Sequence, residues 1–187
     1  MNNTVYLLRH AETRWDRITP PVKWILSERG KSDACLLASS GVFDHIDIII
    51  ASGEEKAIVT ALPIAERLGK EIITCEELND LYKGESVLED GEFFKAVESC
   101  FKNPCESLNG WETANHALGR FSRKIEEIDF AYDDKNILIV SHGCVLSLYF
   151  ARVLEKMGEV YERLCVTSFC AWGIIKNGKV VKDIVEK

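Results

Sequence analysis

The chain has 187 residues, of which 47% are hydrophobic and 28% are charged, and this composition is typical of a globular protein rather than a disordered or fibrous one. Its 23 basic and 30 acidic residues give a net charge of −7, which argues against a nucleic acid or an anionic membrane as partner. The length fits one domain over residues 1–187, and an anionic ligand would need a local cationic pocket. The oligomeric state stays open.

Two features of the sequence indicate the cellular compartment: its apolar segments are short, and its cysteines are scattered. The N-terminal apolar run Val5–Leu8 is ended by Arg9, too early for a secretory signal, and no later stretch approaches the length of a membrane span. The seven cysteines include no C-x-x-C pair, which favours reduced thiols over a disulfide framework or a zinc site. We therefore expect a cytoplasmic protein without a membrane partner.

Short apolar segments alternate with longer segments of helical period, which is the pattern of a parallel sheet covered by helices on both faces. The predicted strands are Thr4–Leu8, Asp47–Ala51, Glu71–Thr74 and Asn136–Ser141. A hairpin is predicted after them, because Asn177-Gly178 lies between the apolar runs Val166–Lys176 and Lys179–Val185. The predicted fold class is therefore α/β, a three-layer α/β/α sandwich with a mostly parallel sheet and a C-terminal β-hairpin.

Capping signals mark the first two predicted helices. The segment Ser27–Ser40 has a serine at the expected N-cap. Ser52 and Glu55 are spaced as a capping box for the next helix, which we expect to end at Gly69. Pro63 lies inside that helix and should bend it or end it early.

Three further helices are predicted from apolar periodicity in the second half of the chain. Ser86 and Glu89 are spaced as a capping pair at the start of the first of them. The three segments are Leu88–Lys102, Trp111–Ile128 and Cys144–Met157.

Two histidines stand directly after predicted parallel strands. His10 follows the first strand and His142 follows Asn136–Ser141, so both imidazoles should face the crevice at the carboxyl edge of the sheet. Lys56 lies in the first turn of a helix that opens on the same side, and a helix N-terminus favours anions. Together with Arg9, these groups would surround one tetrahedral anion with nitrogen donors.

Four segments, in order, resemble the motifs of the histidine phosphatases, the phosphoglycerate-mutase-like superfamily, and the resemblance covers nearly the whole chain. Leu7–Thr13 resembles the family's Arg-His-Gly-Glu-Thr signature, and Val140–Gly143 resembles its second histidine motif. Leu26–Gly30 resembles Leu-Thr-x-x-Gly, and Ala51–Ala61 resembles Ser-Ser-x-x-x-Arg-Ala-x-x-Thr-Ala. We identify the chain as a small phosphatase of this type.

The resemblance implies a reaction in which His10 attacks phosphorus and becomes a phosphohistidine, which water then hydrolyses. Arg9, Lys56 and His142 would hold the phosphoryl oxygens, and His142 would also stabilise the transition state. No cofactor and no metal are expected, because nitrogen cations take the role that divalent ions have in other phosphatases. The further candidate substrate contacts are Thr13, Asp16 and Ser52.

The leaving oxygen needs a proton, which the family takes from a carboxylic acid after the third strand. Asp80 is our candidate, because Leu78–Leu81 resembles the family's Leu-x-Glu segment with aspartate in place of glutamate. The rival carboxyl groups are Glu76, Glu77 and Glu85. Each of them also fits a solvated acidic loop.

Two departures from the family pattern leave other functions open. Lys56 replaces an arginine, which keeps the charge but loses a two-pronged donor. Asp16 replaces an asparagine and would repel an anion unless it points away or pairs with Arg14 or Arg17. The alternative is a weak or inactive homologue that binds a phosphorylated ligand.

Phosphoglycerate-mutase-type transfer is the other enzymatic alternative, and the length argues against it. The segment from Asp80 to Trp111 leaves little room for a lid that shields the phosphoenzyme. The small phosphorylated substrate itself is not specified by the sequence. Aromatic residues that either stack on its organic part or only pack are Trp15, Trp24, Tyr82, Phe93, Phe94 and Trp111.

Overall fold

The computed structural model describes residues 2–16, 18–84 and 88–185, and within them the chain forms one six-stranded sheet. The strand order is β3-β2-β4-β1-β5-β6, with β1 to β4 parallel and the last two strands antiparallel. The strands are β1 Thr4–Arg9, β2 Ile48–Ser52, β3 Ile72–Cys75, β4 Asn136–Ser141, β5 Trp172–Lys176 and β6 Lys179–Lys182. The predicted fold class, including the C-terminal hairpin, is confirmed.

Helices cover both faces of this sheet. One core lies beneath α1 and α2, and a second lies beneath α4 and α5, with α3 and α6 packed beside them. The helices are α1 Glu28–Ser39, α2 Glu55–Leu68, α3 Asp90–Lys102, α4 Ala114–Ala131, α5 Gly143–Val153 and α6 Val160–Val166. Within the described ranges, none of them is long and apolar enough to cross a membrane.

The two central strands explain why the sequence shows continuous apolar runs rather than alternation. On β1, Leu7 enters the core beneath α4 and α5, and Leu8 enters the core beneath α1 and α2. On β4, Ile139 and Val140 divide between the two cores in the same way. A strand that is buried on both faces needs apolar side chains at successive positions.

The helix ends follow the capping signals in part. The Ser27 hydroxyl accepts a hydrogen bond from the Gly30 amide at 2.9 Å, and Gly69 ends α2 with φ of 61°. A Cβ at Gly30 would collide with the carbonyl oxygen of Glu12, so this glycine lets the loop after β1 approach α1. Pro63 lies inside α2, and the predicted early break is wrong because the helix continues to Leu68.

The predicted capping box of Ser52 and Glu55 does not form. The N-cap of α2 is Glu54, and its side chain does not cap the helix. Ser52 is the last residue of β2, where its hydroxyl contacts His142. Ser86, proposed as the capping residue of α3, lies outside the described residues.

The segment before the hairpin also differs from the prediction. The helix predicted over Cys144–Met157 ends at Val153, and a further helix, α6, occupies residues 160–166. The first hairpin strand therefore begins at Trp172 rather than at Val166. Val160 and Leu164, one helical turn apart, pack against the core, which accounts for the helix.

Candidate active site

The carboxyl edge of the sheet brings the two predicted histidines together. β1 and β4 are parallel neighbours with Arg9 opposite Ser141, so His10 and His142 leave the sheet side by side. Their ring centroids are 5.1 Å apart, and the ring planes are inclined by 56°. The pairing of two strands that are distant in sequence thus sets the spacing of the imidazoles.

The tautomer of His10 is fixed by its own loop. Its Nδ1 lies 2.7 Å from the carbonyl oxygen of Ala11, and since a carbonyl only accepts, Nδ1 carries the proton and donates it. The Ala11 amide in turn donates to the Thr60 hydroxyl of α2 at 3.0 Å, which anchors this loop. In the neutral ring, Nε2 therefore holds the free lone pair.

Electrostatics keep His10 in that neutral form. Burial lowers the pKa of His10 well below its ordinary value of 6.5, and the neighbouring charges of His142 and Lys56 lower it further. At neutral pH the ring is therefore neutral rather than cationic.

His142 is completely buried beside His10. Its Nε2 lies 2.6 Å from the Ser52 hydroxyl and 3.5 Å from a carboxyl oxygen of Glu54. Its Nδ1 is buried without a hydrogen-bond partner among the described residues. Burial and the charge of Lys56 lower the pKa of His142 well below 6.5. When Ser52 donates to Nε2, the Nδ1–H is a donor that has no acceptor in the described part of the chain.

Arg9 is held by the loop before β5. One of its terminal nitrogens donates to the carbonyl oxygen of Thr167, and its guanidinium carbon lies 4.4 Å from the ring centroid of Phe169. Its Nε is buried and lacks a partner within the described part of the chain. Gly143 makes room for this side chain, because a Cβ there would lie 3.1 Å from the guanidinium carbon.

Lys56 does not stand in the site as a free cation. Its ammonium forms an ion pair with the carboxylate of Glu54, and both side chains are only 4% exposed. The ammonium also donates to the carbonyl oxygen of Pro21 at 2.9 Å. The second oxygen of Glu54 accepts from the Asp80 amide at 2.7 Å. Sequence reasoning did not single out Glu54; the signal was a glutamate two residues before the lysine.

Asp80 lies in the same cleft and is paired with a lysine that sequence reasoning also missed. Its carboxylate oxygen Oδ2 lies 2.5 Å from Nζ of Lys83, at the helix-like spacing of three residues. Burial alone would raise the pKa of Asp80, but Lys83 and the other nearby cations hold it well below its ordinary value. The other oxygen, Oδ1, is buried without a partner among the described residues.

Of the predicted substrate contacts, Thr13 lines the cleft and Ser52 is buried behind it. Asp16 is not brought to the site, because its carboxylate accepts from the amides of Ile18 and Thr19 in its own loop. That loop bonding turns the carboxylate away from an incoming anion. Arg17, proposed as a partner of Asp16, lies outside the described residues.

The rival acids are dispersed. Glu76 lines the cleft. Glu77 instead pairs with Lys124 at 3.3 Å and accepts from the Cys75 thiol. Glu85 lies outside the described residues. Among the described residues, no group of histidine, cysteine and carboxylate side chains is arranged to hold a metal ion.

The cleft is a cavity of about 930 Å³ whose floor includes Arg9, His10 and Lys56. Five of the six aromatic residues named from the sequence line it: Trp15, Trp24, Tyr82, Phe93 and Phe94. The sixth, Trp111, is buried behind Phe93, with ring centroids 5.9 Å apart.

Comparison with known proteins places this fold and site in a defined class. Residues 5–185 match the family described as histidine phosphatase superfamily, branch 1, and the chain belongs to that superfamily. It is 29% identical over 160 residues to phosphoserine phosphatase 1 of Hydrogenobacter thermophilus, covering 79% of this chain and 74% of the relative.

Two further matches extend over most of the chain. The adenosylcobalamin/alpha-ribazole phosphatase of Salmonella typhimurium is 27% identical over 183 residues, which is 91% of this chain and 89% of that protein. The solved structure of Bacillus stearothermophilus YhfR superposes with a TM-score of 0.80 at 21% identity, over 96% of this chain and 95% of that one. The predicted family and enzyme class, a phosphatase of this superfamily, are confirmed.

Proposed function

We propose that the chain hydrolyses a small phosphorylated metabolite through a phosphohistidine at His10. The observation that carries this proposal is the Nδ1–H of His10 bonded to the Ala11 carbonyl, which leaves Nε2 unprotonated at the floor of the cleft. The relatives support the reaction class, since one is named a phosphoserine phosphatase and another an adenosylcobalamin/alpha-ribazole phosphatase.

In the first step, Nε2 of His10 forms a bond to phosphorus while the bond from phosphorus to the ester oxygen breaks. The ester oxygen leaves with the bonding electron pair. The buried Nε of Arg9 and Nδ1 of His142 have no hydrogen-bond partner among the described residues, and phosphoryl oxygens would satisfy them. Each such donor supports charge that develops in the transition state.

Lys56 holds the phosphate less strongly than its position suggests. Its ammonium is already neutralised by Glu54, so it contributes less net positive charge than a free lysine would. Phosphate binding by Lys56 therefore competes with its pairing to Glu54. We expect weaker phosphate binding than in an arginine-containing site.

Asp80 stays the candidate acid for the leaving oxygen, and Lys83 opposes that role. A general acid must carry a proton, and the ion pair with Lys83 favours the carboxylate. Proton transfer to a strongly basic oxygen is therefore slow. In the second step the same ionised carboxylate can accept a proton from the water that attacks phosphorus. The bond from phosphorus to Nε2 of His10 breaks at the same time, and its electron pair returns to Nε2.

A cytoplasmic location is part of the proposal. All seven cysteines are free, which fits a compartment that keeps thiols reduced.

The test is release of inorganic phosphate from phosphomonoesters by the wild type, His10→Ala and His45→Ala. His45 is an exposed histidine packed against Tyr6, so it is the matched control. We expect His10→Ala to lose about 10³-fold or more in kcat/KM and His45→Ala to keep wild-type activity. Equal activity of His10→Ala and wild type contradicts the proposal. Binding without phosphate release indicates an inactive homologue, and transfer to a second acceptor without release indicates a mutase.

A further inference from the structure

The cleft is much larger than a phosphate group. Its volume of about 930 Å³ is at the upper end of the range for pockets that enclose drug-sized ligands. The phosphate site occupies only the floor, where Arg9 and His10 lie. The remaining space is large enough for the organic part of a substrate.

Aromatic side chains form much of the wall of that space. Trp15, Tyr82, Phe94 and Phe169 all line the cleft and remain partly exposed, which is unusual for side chains of this size. Phe93 also lines the cleft, and its ring centroid is 5.6 Å from that of Phe94. Several large, partly exposed apolar side chains that line one cavity mark a ligand site.

One of these rings lies directly beside the phosphate site. The ring centroid of Phe169 is 5.7 Å from that of His10, and the guanidinium carbon of Arg9 is 4.4 Å from it. Phe169 therefore borders the phosphate site and belongs to the cleft wall that surrounds it. The aromatic wall therefore continues the reactive centre.

The ion pairs of the carboxyl groups in the cleft indicate how basic the leaving oxygen of the substrate can be. Asp80 is in a 2.5 Å ion pair with Lys83, and Glu54 is paired with Lys56. Glu112 is paired with Arg120 at 2.8 Å, Glu12 contacts Arg29 at 3.6 Å, and the fifth carboxyl group that lines the cleft, Glu76, is exposed to solvent. An alkoxide is about as basic as hydroxide, whose parent water has a pKa of about 15.7, and needs a proton as it leaves. A phenolate, with a parent pKa of about 10, does not.

We propose that the substrate of this site is an aryl phosphomonoester, in which an aromatic ring is bonded directly to the ester oxygen. The inference rests on the proposed function and adds the class of leaving group. The aromatic wall binds the ring, and the phenolate departs with the electron pair of the phosphorus–oxygen bond without needing a protonated carboxyl.

Three phosphate esters separate the two parts of this inference. Phenyl phosphate has a ring and a phenolate leaving group, benzyl phosphate has a ring and an alkoxide, and ethyl phosphate has an alkoxide alone. We expect kcat/KM for phenyl phosphate to exceed that for benzyl phosphate by about 10²-fold or more. Benzyl phosphate should exceed ethyl phosphate by about twofold to tenfold. Benzyl phosphate turned over as fast as phenyl phosphate overturns the inference, as does equality of benzyl and ethyl phosphate.

Two phenylalanines provide matched variants for the aromatic wall. Phe94 lines the cleft and is 60% exposed, whereas Phe130 lies on α4 outside the cleft and is 77% exposed. Phe94→Ala should reduce the benzyl to ethyl ratio of kcat/KM toward one, and Phe130→Ala should leave it unchanged. Identical ratios in both variants and the wild type contradict recognition of the ring.

The variant Lys83→Met tests the role of Asp80 as proton donor independently of the aromatic wall. Without Lys83, the buried Asp80 carboxyl regains its proton more readily and can act as an acid, so the phenyl to benzyl ratio should fall by about tenfold or more. An unchanged ratio in a folded variant overturns this part. If the variant does not fold, the three esters and the phenylalanine pair still decide the inference.

Failure of this inference is distinct from failure of the proposed function. A phosphoenzyme that forms from benzyl and ethyl phosphate as fast as from phenyl phosphate contradicts the aryl preference alone. No phosphoenzyme and no phosphate release from any ester contradicts both.

Discussion

Replacing Lys56 by methionine should destabilise the folded chain, because it leaves Glu54 as a buried carboxylate without its cation. Both side chains are 4% exposed, and Lys56 also donates to the carbonyl oxygen of Pro21 at 2.9 Å. Removing one partner of a buried pair typically costs about 3–5 kcal/mol. Since Glu54 keeps the Asp80 amide as donor at 2.7 Å, we expect the lower end, about 3 kcal/mol.

Urea unfolding followed by circular dichroism measures this loss. With a slope of about 1–3 kcal/mol per molar urea, the midpoint of Lys56→Met should fall by about 1 M or more. The double variant Glu54→Gln, Lys56→Met removes both charges and should recover much of the lost free energy of unfolding. The exposed pair Arg67 and Asp44 is the control, and Arg67→Met should leave the midpoint near that of the wild type.

A double variant no more stable than Lys56→Met alone would refute this reasoning. That result would mean that methionine fits the site poorly for steric reasons and that the charge of Glu54 is not the cause.

Two further predictions concern the same edge of the sheet. Gly143→Ala should lower kcat/KM by about 10²-fold, because the new Cβ would lie 2.9 Å from a methyl carbon of Leu164 and 3.1 Å from the Arg9 guanidinium carbon, so both side chains must shift. Gly119→Ala, where the Cβ meets nothing within 4 Å, should not change kcat/KM, and equal kinetics in both variants contradict the steric argument. The pKa values of His10 and His142 lie well below 6.5 in the folded chain, so below that pH the unfolded chain binds protons that the folded chain does not. The free energy of unfolding should therefore fall from about pH 7 to about pH 5, by up to about 1.36 kcal/mol per pH unit for each histidine. His10→Gln should reduce that slope in urea titrations, and an unchanged slope contradicts the assignment.

The fold could be predicted largely because its central strands are buried on both faces. Continuous apolar runs such as Asn136–Ser141 identify a parallel sheet, and parallel pairing places His10 and His142 at one edge. The start of the hairpin could not be located in the same way. The apolar residues near Val166 fit the end of a helix as well as a strand, and only packing against the core decides between them.

The charged partners in the site could not be predicted from the sequence. Glu54 and Lys83 stand in loops or at a helix start, where a charged residue is usually solvated. Their significance comes from burial against Lys56 and Asp80, which depends on three segments meeting in space. Asp16 is the opposite case, a residue that the sequence placed in the site and the structure does not. Its carboxylate is hydrogen-bonded within a local turn, which keeps it from the cleft.

The central claim is that a phosphoryl group is bound covalently to Nε2 of His10 during turnover. The most direct measurement is rapid quenching of the wild type with phenyl phosphate under alkaline conditions, which preserve phosphohistidine, followed by peptide mass spectrometry. The account predicts one added phosphoryl group on the peptide that contains His10, lost after brief acid treatment and absent from His10→Ala. A phosphoryl group on His142 or Cys144, or steady hydrolysis by His10→Ala at the wild-type rate, would contradict it.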